Sequence, residues 1–168
     1  MAAESRRLRV KPRPRHPFSR SAARPLTALL GSAHRLEQEH RELVANTLAD
    51  AEFVIASDLT LIECDRVLIR AVVLDELQES DAVHRQARLN AVSARWTLLT
   101  LDEAIIERVR RPFPAEPVRT LDAIHLATAL TARKALSDLA MLSLDDRIRK
   151  AADRLGFLLL PGNAELGL

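Results

Sequence analysis

A helical segment followed by a short, largely apolar run constrains the fold of this chain more than any other feature. Residues 119–130 read RTLDAIHLATAL, a largely apolar, Ala-rich pattern that predicts a helix ending at Lys134, with Thr120 as N-cap and Asp122 in the first turn. The run LAMLSL (residues 139–144) then predicts a strand buried on both faces, with Asp145 directly after it. Such a strand indicates a parallel α/β sheet, which binds ligands at the carboxyl ends of its strands.

Strands and helices alternate through the rest of the chain, which predicts a three-layer α/β/α sandwich around a parallel sheet. Further strands are expected at Phe53–Ala56, Trp96–Leu99 and Phe157–Leu160. Helices are expected from His34 to Ala49, from Ser57 or Asp58 to about Glu76, from Ser80 to Arg95, from Thr100 to about Arg110, and from Asp145 to Gly156. Four strands are few for this architecture. The shortage lies at the N-terminus, where Pro25–Gly31 is predicted to be a short helix or turn.

Local patterns within these elements predict caps and buried faces. Thr100 and Glu103 have the spacing of a capping box. Apolar residues at helical spacing predict the buried faces of the second and third helices. They are Leu61, Ile62, Val67, Leu68, Ala71 and Val72 in the second helix, and Val83, Ala87, Leu89 and Val92 in the third.

The net charge of +2 is divided unevenly along the chain. Residues 1–24 carry +7 and include Pro12, Pro14 and Pro17, whereas the remainder carries −5. A segment so rich in arginine and proline has little apolar surface to offset the entropy of ordering, which predicts a disordered tail before a folded domain over residues 25–168. A targeting peptide and a nucleic-acid-binding arm are the alternative interpretations of this tail.

Composition excludes several classes of site. Cys64 is the only cysteine, so the chain holds no internal disulfide or cysteine-based zinc site, and a reducing, cytoplasmic setting is expected. With four glycines and no Gly-rich loop, a dinucleotide-binding fingerprint is excluded. No apolar run approaches the length that spans a membrane.

Three acidic residues, Glu63, Asp122 and Asp145, fall at the beginnings of predicted helices. Singly, each has an ordinary role: Asp122 complements a helix dipole, Asp145 is an N-cap, and Glu63 is a solvated helix residue. If the three helices start at one edge of the sheet, the carboxylates converge, and their repulsion calls for a cation. Oxygen ligands select Mg²⁺ or Mn²⁺, and such ions promote phosphodiester hydrolysis.

Two other residues near these acids are given structural roles. We interpret His125 as a core or interface residue and Cys64 as a packing residue.

Three segments carry a family resemblance. The sequences SDLTLIECDRVL (residues 57–68), RTLDAIHLATAL (residues 119–130) and MLSLDDRIRKAADRLGF (residues 141–157) resemble the PIN-domain ribonucleases, in particular the VapC toxins of toxin–antitoxin pairs. The resemblance extends over about residues 26–161.

For this family, the resemblance implies Mg²⁺- or Mn²⁺-dependent endoribonuclease activity. It also implies a homodimer, and inhibition by a cognate antitoxin whose tail occupies the active site. Glu63, Asp122 and Asp145 match the family's metal-binding acids, with Asp146 as a substitute for Asp145.

One departure from the family pattern concerns its first strand, which ends in an aspartate. Here PLTALL aligns with the end of that pattern, so Pro25 or Ala22 takes the place of the aspartate, and the preceding SRSAAR does not have the pattern of a buried strand. Two explanations fit: the chain is a degenerate relative, or its first residues come from a misassigned start or a shifted reading frame. The alternative function is therefore an inactive PIN-fold protein that binds an antitoxin-like partner or RNA.

Overall fold

A five-stranded parallel sheet, with helices on both faces, forms the centre of the molecule. The computed structural model describes residues 25–28 and 38–167. The strands are β1 (Pro25–Ala28), β2 (Phe53–Ser57), β3 (Thr97–Leu99), β4 (Ala140–Leu142) and β5 (Leu158–Leu160). The helices are α1 (Gln38–Asp50), α2 (Asp58–Val73), α3 (Glu79–Ser93), α4 (Glu103–Val109), α5 (Thr120–Arg133) and α6 (Asp146–Arg154), followed by a 3₁₀ helix at Asn163–Leu166.

The sheet has the strand order β3-β2-β1-β4-β5, with every neighbouring pair parallel. The chain moves outwards from β1 through β2 to β3, then crosses to β4 on the other side of β1. Leu26 of β1 is therefore paired with Val54 on one side and with Ala140 on the other. This reversal creates a crevice at the carboxyl ends of β1 and β4, the usual place for a ligand in an open parallel sheet.

Two apolar cores, one on each face of the sheet, hold the layers together. Ile55 and Met141 point into the core that contains buried residues of α4, α5 and α6. Their strand neighbours Val54 and Leu142 belong to the other core, with Val44 of α1 and Trp96. Because successive strand residues point to opposite faces, this alternation shows that both faces are covered. The predicted α/β/α sandwich is confirmed.

The prediction for the N-terminal apolar segment was wrong. Pro25–Ala28 is neither a helix nor a turn but the central strand, and its presence supplies the strand that the sequence seemed to lack. Proline is tolerated as the first residue of a strand because its missing N–H then removes little from the ladder. The predicted start of the next helix at His34 and the predicted disordered tail over residues 1–24 lie outside the described residues.

Two predicted N-caps were also wrong. The cap of α4 is Asp102, whose Oδ1 accepts a hydrogen bond from the Ile105 amide at 2.9 Å, so the chain does not use Thr100. Thr120 is the first helical residue of α5, and the cap position belongs to Arg119, which makes no side-chain capping bond. A carboxylate one residue before a helix offers a stronger acceptor for the free amides than a more distant hydroxyl.

The predicted buried faces of α2 and α3 were partly wrong. Ala71 is buried, whereas Ile62, Val83, Ala87 and Val92 are exposed. The α2 and α3 helices therefore present apolar side chains to solvent. Within the described part of the chain, no helix has both the length and the apolarity needed to cross a bilayer.

Candidate active site

The three acids predicted to share a site lie on three different elements. Glu63 is in the second turn of α2, which starts directly after β2. Asp122 is the third residue of α5. Asp145 is the N-cap of α6 and follows β4 after a two-residue connection. Since β2 and β4 flank β1 in parallel, the helices that follow them begin at the same edge of the sheet.

Asp122 is the acid whose electrostatic surroundings are most perturbed. Its pKa is raised, first by burial, then by the negative charge of Asp145, with a further contribution from Glu63. The positive charges of Arg119 and His125 act in the opposite direction. Although the three acids are far apart in the sequence, Asp145 and Glu63 are therefore close enough to Asp122 to oppose its ionisation.

Asp145 is fixed in place by the start of its own helix. Its Oδ1 accepts hydrogen bonds from the Arg147 amide at 2.8 Å and the Ile148 amide at 3.4 Å. The neighbouring Asp146 is exposed, and its charge acts on Arg149 instead. The charge of Asp145, the preferred candidate, therefore raises the pKa of Asp122, whereas its substitute Asp146 is not among the causes of that shift.

Buried Arg149 supports the turn that carries Asp145. Its Nη1 donates to the Ser143 carbonyl at 2.9 Å and its Nη2 donates to Asn163 Oδ1 at 2.6 Å. Ser143 Oγ in turn accepts a hydrogen bond from the Asp145 amide at 3.2 Å. Burial lowers the pKa of Arg149, partly offset by Asp146. The buried guanidinium of Arg149 thus links the turn between β4 and α6 to the C-terminal 3₁₀ helix.

Glu63 has a partner that the sequence did not indicate. Its Oε2 lies 2.5 Å from Nε2 of His125, whose side chain is 3% exposed. His125 is buried as predicted, but it contacts an acid of the candidate site. The signal available in the sequence was its position three residues after Asp122, which places both side chains on one side of α5.

Arg119 is a second residue that the sequence reasoning missed. It is exposed at the N-cap position of α5, and its positive charge lowers the pKa of Asp122. A guanidinium beside clustered acids is a suitable group to pair with a phosphate.

Cys64 has no chemistry of its own at neutral pH. Burial, and after it the charges of Glu63 and Asp65, together raise the pKa of its thiol to about 11. The thiol therefore stays protonated, in agreement with its interpretation as packing.

The donor set suits a hard divalent cation. All three candidate ligands are carboxylates, and the pKa of Asp122 is raised first by burial and then by repulsion from Asp145 and Glu63, which a cation relieves. In the part of the chain that the structure describes, however, no three Asp, Glu, His or Cys side chains are arranged to enclose a metal ion. Mg²⁺ usually keeps several waters and uses one or two carboxylates, so the residues present fit an open, partly hydrated site.

The central strand brings no acid to this edge. The sequence has no Asp or Glu between Glu4 and Glu37, so neither β1 nor the residues up to Leu36 can supply a carboxylate. However PLTALL is aligned with the family pattern, the sequence offers no aspartate at the end of the first strand. The strand itself is present.

A cleft of about 370 Å³ lies away from the acids, between α4 and the C-terminal end of α5. It is lined in part by Arg108 and Arg133, whose guanidinium groups stack 4.0 Å from the rings of Phe113 and Phe157. These arginines stabilise the helix ends electrostatically and pack against aromatic rings. The three acids are therefore the better candidate for chemistry.

Comparison with known proteins points to one family. The PIN domain profile matches residues 27–154, which include Glu63, Asp122 and Asp145. Ribonuclease VapC35 of Mycobacterium tuberculosis is 35% identical to this chain over 111 residues, in strain CDC 1551 / Oshkosh and in strain ATCC 25618 / H37Rv. The alignment covers 66% of this chain and 74% of each relative.

Proposed function

This chain belongs to the PIN domain family, and from that premise we propose that it is a metal-dependent endoribonuclease, the toxin of a toxin–antitoxin pair. The similarity to a protein named as a ribonuclease supports this activity. The observation that carries the proposal is the placement of Glu63, Asp122 and Asp145 near the starts of α2, α5 and α6, where burial and the charges of Asp145 and Glu63 raise the pKa of Asp122. Such a perturbed group at the carboxyl edge of a parallel sheet is typical of an active site.

Each residue of the site has a proposed role. Asp122 and Asp145, with Glu63, would hold Mg²⁺ or Mn²⁺, which when bound supplies positive charge that activates water and stabilises a phosphodiester under attack. The N-cap bonds of Asp145 fix its carboxylate through Oδ1. Arg119, exposed beside Asp122, would bind a phosphate of the RNA and orient the scissile bond.

The proposed partners follow from the family. They are an RNA substrate, a cognate VapB-type antitoxin that blocks the site, and a second copy of the chain. We also propose a cytoplasmic setting, since a toxin of this class acts on cellular RNA.

The proposal is tested by cleavage of a structured, end-labelled RNA with Mg²⁺ or Mn²⁺ and, in parallel, with EDTA. Asp122→Asn keeps the shape of the side chain but removes its charge. It is expected to lower the rate more than about 100-fold, beyond the loss that outer partners of a metal typically cause. Asp146→Asn is the matched control, because this neighbouring acid is exposed and its charge acts on the pKa of Arg149 and is not among the causes that shift Asp122, so the variant should retain activity. Cleavage that persists in EDTA or in Asp122→Asn would refute the proposed mechanism.

One observation favours a second candidate function. Because no Asp or Glu lies between Glu4 and Glu37, the central strand contributes no acid to the site. The alternative is an inactive PIN-fold protein that binds an antitoxin-like partner or RNA. RNA binding without cleavage in Mg²⁺ or Mn²⁺ supports this alternative, whereas cleavage that requires Asp122 rules it out.

A further inference from the structure

We infer that His125 is a positioning residue that holds the carboxylate of Glu63 in the orientation needed for the divalent cation. This inference rests on the proposed function. It assigns a role to a buried histidine that the sequence indicated only as a core or interface residue. Its basis is a direct contact between α5 and α2 at the candidate site.

The contact is short and sheltered from solvent. His125 Nε2 lies 2.5 Å from Glu63 Oε2, and the side chains are 3% and 19% exposed. A nitrogen at this distance from a carboxylate oxygen acts as the donor, so Nε2 carries a proton. The bond fixes one oxygen of Glu63 and leaves the other for a cation or a water.

The imidazole is itself held on its opposite side. Ser57 Oγ lies 3.5 Å from His125 Nδ1 and 3.5 Å from Thr60 Oγ1, and all three of these residues are buried. Ser57 ends β2 and Thr60 lies in the first turn of α2, so this polar cluster ties the ring to the strand and helix that deliver Glu63. An imidazole with polar neighbours at both nitrogens, the closer of them Glu63, restricts the direction of the carboxylate more than packing alone.

A single helix therefore supplies both an acid and the support for another acid. Asp122 and His125 are three residues apart on α5 and lie on one side of it. The charge of His125 also lowers the pKa of Asp122, in opposition to Asp145 and Glu63. With no carboxylate from the central strand, the site depends on these few acids, and the orientation of Glu63 gains importance. Hydrogen-bond partners of metal-binding carboxylates usually matter 10–100-fold for affinity.

Two amide substitutions of His125 distinguish positioning from mere structure. In His125→Gln, the side-chain nitrogen reaches about as far as Nε2 and can still donate to Glu63. In His125→Asn, it reaches only about as far as Nδ1 and cannot. Both are polar and buried, so their folding costs are similar. We expect Mn²⁺ titration by calorimetry to give about 10–100-fold weaker binding for His125→Asn and near wild-type binding for His125→Gln. Equal affinity of the two variants would overturn the inference.

A metal-free measurement tests the contact separately. Urea unfolding in EDTA of His125→Asn, of Glu63→Leu, which leaves no acceptor for the histidine, and of the double variant forms a double-mutant cycle. Since either substitution breaks the same hydrogen bond, the second should add less destabilisation than it causes alone, and strict additivity would overturn the contact. Asp122→Asn serves as the control that loses Mn²⁺. Wild-type protein that binds no Mn²⁺ would instead refute the proposed function and the positioning role of His125 that rests on it. The double-mutant cycle would still report separately on the contact between His125 and Glu63.

Discussion

Asp122 is the residue at which function and stability are in conflict. Its pKa is raised by burial, Asp145 and Glu63, and these effects outweigh the favourable charges of Arg119 and His125. The folded state therefore binds the Asp122 proton more tightly than the unfolded state. Stability falls as pH rises from the unfolded pKa to the folded pKa, and the penalty is fully present above that window.

We expect Asp122→Asn to raise the melting temperature of the metal-free protein at pH 7. The gain should be a few degrees at most, because the carboxylate is only half-buried and solvent screens part of the repulsion. It should shrink as pH is lowered and Asp122 becomes protonated in the wild type. Thermal unfolding in EDTA at pH 7 and at acidic pH measures this, with Asp146→Asn as a control that relieves no such repulsion. A variant that melts at or below the wild-type temperature at pH 7 would contradict the expectation.

The sequence indicated the acids but not their partners. Glu63, Asp122 and Asp145 were identifiable because each falls at a helix start, a position that pattern alone reveals. The pairing of Glu63 with His125 spans 62 positions and depends on how α2 and α5 pack. No local pattern contains that information, and a histidine among alanines and leucines resembles an ordinary core residue.

Elements with a clear local sequence pattern were predicted better than elements that form only because strands distant in the sequence pair with them. Leu139–Leu144 was recognised because a run of six residues, apolar apart from Ser143, suits a strand buried on both faces, and β4 is wholly buried. Pro25–Ala28 carries no such signal: it has four residues, a proline and no alternation. It becomes a strand because β2 and β4 supply hydrogen-bond partners on both sides, which the sequence alone does not display.

The loop that leads into α5 contains a carboxylate that accepts hydrogen bonds from backbone amides that lie outside helices and strands. Glu116 Oε1 accepts a hydrogen bond from the Phe113 amide at 2.8 Å, and its Oε2 accepts one from the Val118 amide at 2.7 Å. These amides, Phe113 first, lower the pKa of Glu116. A depressed pKa means that the charge stabilises the folded state above the unfolded pKa and that this contribution is lost as pH falls through the folded pKa.

We expect Glu116→Gln to lower the melting temperature at pH 7 by a few degrees, since the amide has one acceptor oxygen for two backbone donors. The difference from wild type should disappear at pH values below the depressed pKa of Glu116. Thermal unfolding across this pH range tests the prediction. Glu107→Gln is the control, because Glu107 pairs only with exposed Arg111 at 3.4 Å, and such surface pairs contribute little. A loss of equal size in both variants would show that the loop amides are not the cause.

For the whole molecule, alternation of strands and helices was sufficient to predict the layers, because a strand buried on both faces requires helices above and below. The alternation of strands and helices did not predict which helix faces remain exposed to solvent. Ile62, Ile69 and Val73 of α2 are exposed by 55%, 49% and 75%, and their spacing of seven and four residues places them in one stripe along the helix. We call these three residues the α2 stripe. An apolar stripe of this kind is typical of a surface that a partner covers.

We expect the homodimer implied by the family to bury the α2 stripe. Ile69→Lys places a charge in the middle of it, and an unpaired buried charge is costly enough to prevent association. Light scattering after size-exclusion chromatography should then give the mass of a dimer for the wild type and of a monomer for Ile69→Lys. Ile106→Lys on α4 is the matched control, because Ile106 is 47% exposed but contributes to the opposite layer of the sandwich, and it should remain dimeric. A dimer that survives Ile69→Lys but dissociates with Ile106→Lys would assign the interface to the α4 side of the sheet and refute this prediction.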